Sequence, residues 1–274
     1  TGVVKGDKIT GGLVGSNYGK IENSYAEGEV TKDGDEYETY VGGLVGSNDG
    51  IIFNNYTTGN ITGIHNVGGL VGFNDVHGSI SNSYTTGNVN GDTNVGGLVG
   101  FNDNQGSLAP WDNITKSYAT GSVMGDTFVG GLAGTNYGDI SNSYATGNVD
   151  GRWNVGGLVG ANWDSISKSY STGNVEGSIV VGGLVGQNSF GETTISDSYW
   201  NKDSTITKGG EEIERGVGDE IVFIGKTTDK MTDKGTFDGW DFTDIWTIED
   251  DGSSYPYFQW QNNNNIPGPQ TIPE

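Results

Sequence analysis

The sequence predicts an all-β chain, wound as a right-handed parallel β-solenoid (β-helix) of about seven coils over residues 1–199. An aromatic-rich C-terminal cap, 200–261, and an Asn/Pro-rich linker or tail, 262–274, follow it. Three observations carry that prediction. A unit of at least 26 residues recurs seven times. Its insertions fall at only two places in the unit. Its segments are short, rich in Val, Ile, Tyr and Thr, and punctuated by Gly and Asn, with no i, i+3, i+4 apolar pattern. Helical repeats need runs of good helix formers, and 50 glycines in 274 residues forbid them. The handedness follows from the crossover preference of parallel strands alone.

The unit reads V-G-G-L-V-G-x-N, a corner, I-x-x-S-Y-x-T-G-N-V, a second corner, then the next V-G-G. Its Gly-Gly pair begins at Gly11, Gly42, Gly68, Gly96, Gly130, Gly156 and Gly182, at separations of 31, 26, 28, 34, 26 and 26 residues. The second corner is longer between Val30 and Val41, and every other insertion follows the Asn of the first corner: after Asn74, Asn102 and Asn188. Stacked strands cannot change length without breaking their ladder, whereas corners can. At ~4.8 Å per coil the stack is on the order of 35 Å long.

Each part of the unit has a structural task. Glycine allows sharp bends and close approach of one backbone to another. The recurrent Asn17, Asn48, Asn74, Asn102, Asn136, Asn162 and Asn188 suit a buried corner, each amide bonding its own backbone and the next coil's Asn in a ladder. Tyr25, Tyr56, Tyr84, Tyr118, Tyr144, Tyr170 and Tyr199, each four residues after an Ile, form ladders that supply apolar contact. Strict alternation through Val41–Gly46 would turn Leu44 and its equivalents outward as a docking stripe. A bulge at the Gly pair brings Val and Leu both inward, as expected for a chain that avoids a long exposed apolar face.

The formal charge of −22 is spread along the chain, with 20 acids and 7 bases before residue 200 and 15 and 6 after it. Such a surface repels nucleic acid and anionic lipid. There is no cysteine, and no apolar run approaches the roughly 18 residues of a membrane span.

The run V-G-G-L-V-G-like "VGGLAGTNYGDISNSYATGNVDG", residues 129–151, resembles the GLUG motif, a repeat of large surface and secreted proteins of bacteria and archaea, including adhesins and the stalks of some surface peptidases. The resemblance extends over residues 1–199 and implies a β-solenoid that serves adhesion or surface architecture; the family carries no shared catalytic residues to transfer. Asn55 in place of Ser, Ala133 inside its glycine motif, and Glu27 in place of Thr depart from the pattern.

Residues 200–261 carry Trp200, Phe223, Phe237, Trp240, Phe242, Trp246, Tyr255, Tyr257, Phe258 and Trp260 and read as a cover for the last coil. A short helix is expected in T-T-D-K-M-T-D, N-capped near Thr228, and an edge strand in S-S-Y-P-Y-F-Q-W-Q. An aromatic carbohydrate platform is the functional alternative. At the other end T-G-V-V-K-G begins in mid-unit, so either further coils precede it or another molecule covers it; the latter implies head-to-tail, heterologous self-association into a filament, sheath or surface layer.

Chemistry is sparsely written. The repeats hold one Arg and few Lys at no common coil position, and His65 and His77 lie in different corners. Candidate cation sites, with Ca²⁺ the fitting ion, are Asp33, Asp35 and Glu36, and separately Glu249, Asp250 and Asp251; neither follows the spacing of a helix-loop-helix calcium loop. Candidate ligand contacts at the inserted corners are His77, Trp111 and Phe190, and sequons place candidate glycans at Asn55, Asn60 and Asn113. The expectation is a non-enzymatic, extracellular structural or adhesive surface protein, whose partners are its own copies, other surface proteins or glycans. A carbohydrate-binding or polysaccharide-degrading β-helix is the alternative.

Overall fold

The computed structural model describes residues 2–32, 38–103, 114–189, 195–218 and 225–263. Five parallel sheets run along the stack, and each coil contributes one short strand to each in turn. In the third coil these are Ile61–Thr62, His65–Gly68, Val71–Asn74, Ser79–Ser81 and Tyr84–Thr85. Five strands per coil exceed the two or three that the Val/Ile/Tyr segments suggest, because a residue in the left-handed region breaks the segment before each Tyr and bends at the glycines break it elsewhere. One such series, Asn23, Asn54, Asn82, Lys116, Asn142, Lys168 and Asp197, lies two residues before each Tyr; another, Asn66, Asn94, Phe128, Asn154 and Val180, precedes the first Val of the glycine motif. Asn adopts this region at low cost, whereas Phe128 and Val180 are strained there.

Stacking is in register. Val67 pairs with Val95, Val71 with Val99, Ile80 with Ile114 and Tyr84 with Tyr118. The interior is built from these rows, with Val41, Leu44, Val45, Ile52 and their equivalents in the next coils all buried. Leu and Val therefore both face inward, as the bulge requires. The N–H groups of Leu44 and Val45 both donate to the Leu70 carbonyl of the next coil, at 2.9 and 3.0 Å. Two residues of one coil thus oppose one of the next, and the leucine stays inside.

One coil shows why three glycines are needed here. A Cβ on Gly42 would lie 2.0 Å from the Val45 carbonyl oxygen across the bend, and one on Gly43 would lie 2.1 Å from the Gly69 carbonyl oxygen of the next coil. On Gly46 it would meet the Gly15 carbonyl oxygen at 2.8 Å. Backbone packs on backbone at each point, leaving no room for any side chain.

The stack runs past residue 199. Ile206–Lys208 pairs with Val175–Gly177, Gly225–Lys226 pairs with Trp200–Asn201, and Val217 bridges to Val185. Trp200 stands in register with Ser171, in a row that Thr57, Thr85, Ala119 and Ala145 continue. Its ring lies where a Cβ on Gly183 or Gly225 would be, so it fills the core between them. On the first coil Val3, Ile9 and Leu13 are exposed.

Residues 227–263 form a helix Thr228–Met231, a 3₁₀ turn Lys234–Thr236, an antiparallel pair Trp246–Thr247 with Tyr257–Phe258, and a helix Gln259–Asn263. The expected edge strand thus stops at Phe258. Thr227, not Thr228, occupies the N-cap and makes no side-chain cap bond; the Thr228 N–H is met instead by Asp203 Oδ2 at 2.7 Å. Within the expected cap, Trp200, Ile206 and Val217 cover the last coil, and residues 227–263 fold back along the flank formed by the tyrosine row.

Candidate functional site

The corner that carries the insertions is held by amides. Asn Nδ2 donates to the Asn Oδ1 of the next coil from Asn17 to Asn48, Asn74, Asn102, Asn136, Asn162 and Asn188, at 2.7–2.9 Å. Asn17, Asn48, Asn74, Asn136 and Asn162 also tie their own bends: Asn48 Nδ2 donates to the Gly50 carbonyl at 3.0 Å and Asn74 Nδ2 to the Gly78 carbonyl at 3.0 Å. These buried amides have donors and acceptors both engaged, which makes the chain directional and rigid. The insertions after Asn74, Asn102 and Asn188 consequently spring from residues in one line.

A second polar row lies beside it. The N–H groups of Ser83, Ser117, Ser143 and Ser169 donate to the next coil's Ser Oγ at 3.1–3.3 Å, and the Oγ of Ser83 donates to the Ser81 carbonyl at 2.8 Å. Asn55 occupies this row: its Oδ1 accepts from the Ser24 N–H at 2.8 Å and its Nδ2 donates to the carbonyls of Ile21 and Phe53. The departure from Ser is thus a functional replacement. It also removes Asn55 as a glycan acceptor in the folded chain, since it is buried with its amide committed. Asn60 is exposed, its Oδ1 accepting from the Asn88 N–H at 3.0 Å; Asn113 lies outside the described residues.

Among the described residues no group of three or more acids and histidines is placed to hold a metal ion. Glu249, Asp250 and Asp251 border a depression with Asp229 and Asp233, but Glu249 accepts from the Tyr257 hydroxyl and Asp251 turns back to the Ser253 N–H at 2.9 Å. Hydrogen bonds from Ser253 hold the Asp251 carboxyl below its ordinary range. Asp33, Asp35 and Glu36 lie outside the described residues, as do Trp111 and Phe190. His77 stands exposed at its corner, Nδ1 2.8 Å from Asp49 Oδ1.

The tyrosine flank is the most differentiated surface of the stack. Tyr25, Tyr56, Tyr84, Tyr118, Tyr144 and Tyr170 are stacked face to face, with centroids 4.8–5.1 Å apart. The C-terminal segment steps along it, setting Trp240 against Tyr199 and Tyr170, Trp246 against Tyr170 and Tyr144, Phe258 against Tyr144 and Tyr118, and Trp260 against Tyr118 and Tyr84. It also meets the hydroxyls: Tyr144 donates to Gln261 Oε1 at 3.1 Å, and Tyr170 donates to the Pro256 carbonyl. The indole N–H groups are satisfied from the coils, Trp246 by Asn142 Oδ1 at 3.3 Å and Trp240 by the Asp197 carbonyl at 2.9 Å. Burial drives the Tyr144 and Tyr170 hydroxyls well above their ordinary pKa, and lifts that of Tyr84 to about 12. Trp246 and Phe258 are wholly enclosed, so neither presents a face to a sugar.

A further aromatic row, absent from the sequence expectations, runs Tyr40, Phe73, Phe101, Tyr137 and Trp163, with centroids 4.8–5.6 Å apart. Phe73 and Phe101 precede the ladder Asn, Tyr137 and Trp163 follow it, and Tyr40 lies outside the glycine motif altogether, so the row has no fixed position in the unit. The rings cover one another's faces and leave their edges outward.

No curated protein matches the chain. The fold is similar to the crystal structure of a "putative immunoglobulin A1 protease" from Bacteroides ovatus, at TM-score 0.61 and 20% identity, over 88% of this chain and 75% of that one. The model of the GLUG motif matches residues 7–31, 63–90, 91–124, 127–150 and 151–176, together half of the sequence. With five matched copies in one register and the motif's glycines and Asn at the bends of every coil, this chain belongs to the GLUG-motif repeat family.

Proposed function

We propose that the chain is a non-enzymatic, extracellular scaffold of structural or adhesive function, which displays the inserted corners of its coils to a partner. The observation that supports this reading is the asparagine chain from Asn17 to Asn188, which lines up the corners after Asn74, Asn102 and Asn188. A rigid body with variable loops on one edge is suited to recognition. The exposed Val3, Ile9 and Leu13 would be buried by one more coil, from this protein's own chain or a second copy, and the latter gives head-to-tail assembly.

Deletion of residues 104–112 tests the display role. The expected result is loss of adhesion to cells or glycan surfaces with the thermal midpoint kept, and unchanged adhesion removes the corners from the reading. Turnover of a polysaccharide or a protein, abolished by one Asp or Glu substitution, would replace the scaffold with an enzyme.

A further inference from the structure

The C-terminal segment covers only part of the tyrosine stack. Trp260 is its last aromatic contact, at Tyr118 and Tyr84; beyond it Tyr56 is half-exposed and Tyr25 is 56% exposed. A groove of 550 Å³ begins there, lined by Asn23, Ser24, Asn54, Tyr56, Thr58 and Tyr84 among others. The rings of Tyr25, Tyr56 and Tyr84 keep the same stacking as the covered ones, at 5.0 and 5.1 Å, so the surface continues the intramolecular interface without a break.

The covered stretch shows what such a surface accepts. Trp240, Trp246, Phe258 and Trp260 each sit against two successive tyrosines, a carbonyl oxygen meets a tyrosine hydroxyl, and the Trp246 indole donates to Asn142, the left-handed residue two places before Tyr144. Asn54 and Asn82 hold the same place before Tyr56 and Tyr84, with the same left-handed backbone. The open stretch therefore repeats both halves of the recognition pattern: ring edges to pack against, and an amide oxygen beside them.

We infer that the groove at Tyr25, Tyr56 and Tyr84 is a docking site for an extended, tryptophan-bearing peptide segment of another protein chain, bound in the manner of this chain's own residues 240–261. The site supplies tyrosine edges for aromatic packing and the Asn54 or Asn82 side chain for an indole N–H. The inference names a partner class for the scaffold reading but does not depend on the corner loops, so adhesion through residues 104–112 can stand or fall separately.

The probe is a fluorescein-labelled peptide of residues 254–261, S-Y-P-Y-F-Q-W-Q, titrated into the whole chain and read by anisotropy. Saturable binding in the micromolar to low-millimolar range is expected, weakened at least tenfold by Tyr56→Ala and retained by Tyr56→Phe. The exposed Tyr18→Ala should leave it unchanged, and a probe with Trp260→Ala should not bind. Circular dichroism and thermal midpoints of the variants confirm that the coils persist. No saturable binding, or binding indifferent to Tyr56→Ala as expected for exchange with the covered segment, overturns the inference. Binding that emerges only after removal of residues 264–274 also overturns it, because the site then belongs to the chain's own tail.

Discussion

Tyr56 and Tyr144 hold the same place in their coils, stack on their neighbours at nearly the same distance and follow an Ile by the same spacing, yet one is half-exposed and the other buried. The difference comes from a segment more than 100 residues away: Gln261 reaches Tyr144 across 117 positions. A repeat protein is nearly one-dimensional in its stacking, and its local energies are set by neighbouring coils. Here one flank escapes that rule. Coils three to seven are fastened to each other twice, by their ladders and by an aromatic strap that spans them, whereas the first two coils have the ladders alone.

The sharpest way to break the comparison is to truncate the two tyrosines. Tyr144→Ala removes a ring packed against Tyr118, Tyr170, Trp246 and Phe258 and should cost about 3–5 kcal/mol. Tyr56→Ala removes a half-exposed ring and should cost about 1 kcal/mol. Chemical denaturation of both variants measures the gap, and equal losses would mean that the strap contributes nothing.

The asparagine chain supplies the control, since it runs unchanged through both stretches. Asn48→Ala strands the Asn17 donor and the Asn74 acceptor, and Asn136→Ala strands the corresponding groups of Asn102 and Asn162. Each should cost about 3 kcal/mol, as expected when two buried groups lose their partners. A much smaller loss at Asn48 would show that the uncovered coils are already loose and that the tyrosines report this rather than cause it.

Alkaline pH should act on the strapped stretch. The Tyr144 and Tyr170 hydroxyls stay protonated in the native chain well above the ordinary tyrosine pKa, whereas the unfolded chain releases those protons near pH ~10. The native state then holds more protons, so stability is intact below pH ~10 and falls as pH rises further, by ~1.4 kcal/mol per pH unit for each such group. Tyr144→Phe keeps the ring and removes one titrating group, so it should flatten the stability profile above pH ~10 by that amount. An unaltered slope would mean that Tyr144 meets water in the native chain.

The ladders were legible in the sequence because stacking repeats a chemical need at a fixed spacing: a buried amide requires partners, and Asn17 to Asn188 supply them to one another. The inward leucines were legible for a similar reason, since burial chooses between two faces of the same strand. The strap was not, because Tyr25 and Tyr144 are written identically and nothing local records which one a distant Trp will cover. Asn55 misled in the opposite direction: its sequon describes the chain alone, while the Ser24 and Phe53 bonds of its amide arise from coil position. The strand count failed at single residues, for a Lys116 or Lys168 in the left-handed region carries no signature of its own.

Val180 offers the finest test of whether the tyrosine flank is the sole difference between the stretches. It stands at φ +55° in the seventh coil, where Asn66 stands at φ +47° in the third. A β-branched side chain in this region costs on the order of 1–2 kcal/mol relative to one that tolerates it. Val180→Asn should therefore stabilise the chain by about 1 kcal/mol, provided the half-exposed side chain gives up little packing. The reverse exchange, Asn66→Val, should cost somewhat more, because it also removes the acceptor that Asn94 Nδ2 reaches at 2.9 Å. This bend lies on a different sheet from the tyrosines, so the strap should not influence either value. If Val180→Asn gains nothing while Asn66→Val costs its full amount, the strap holds the backbone of the later coils as well as their tyrosine flank. The stretches would then differ throughout the coil, and the local comparison of Tyr56 with Tyr144 would understate the difference.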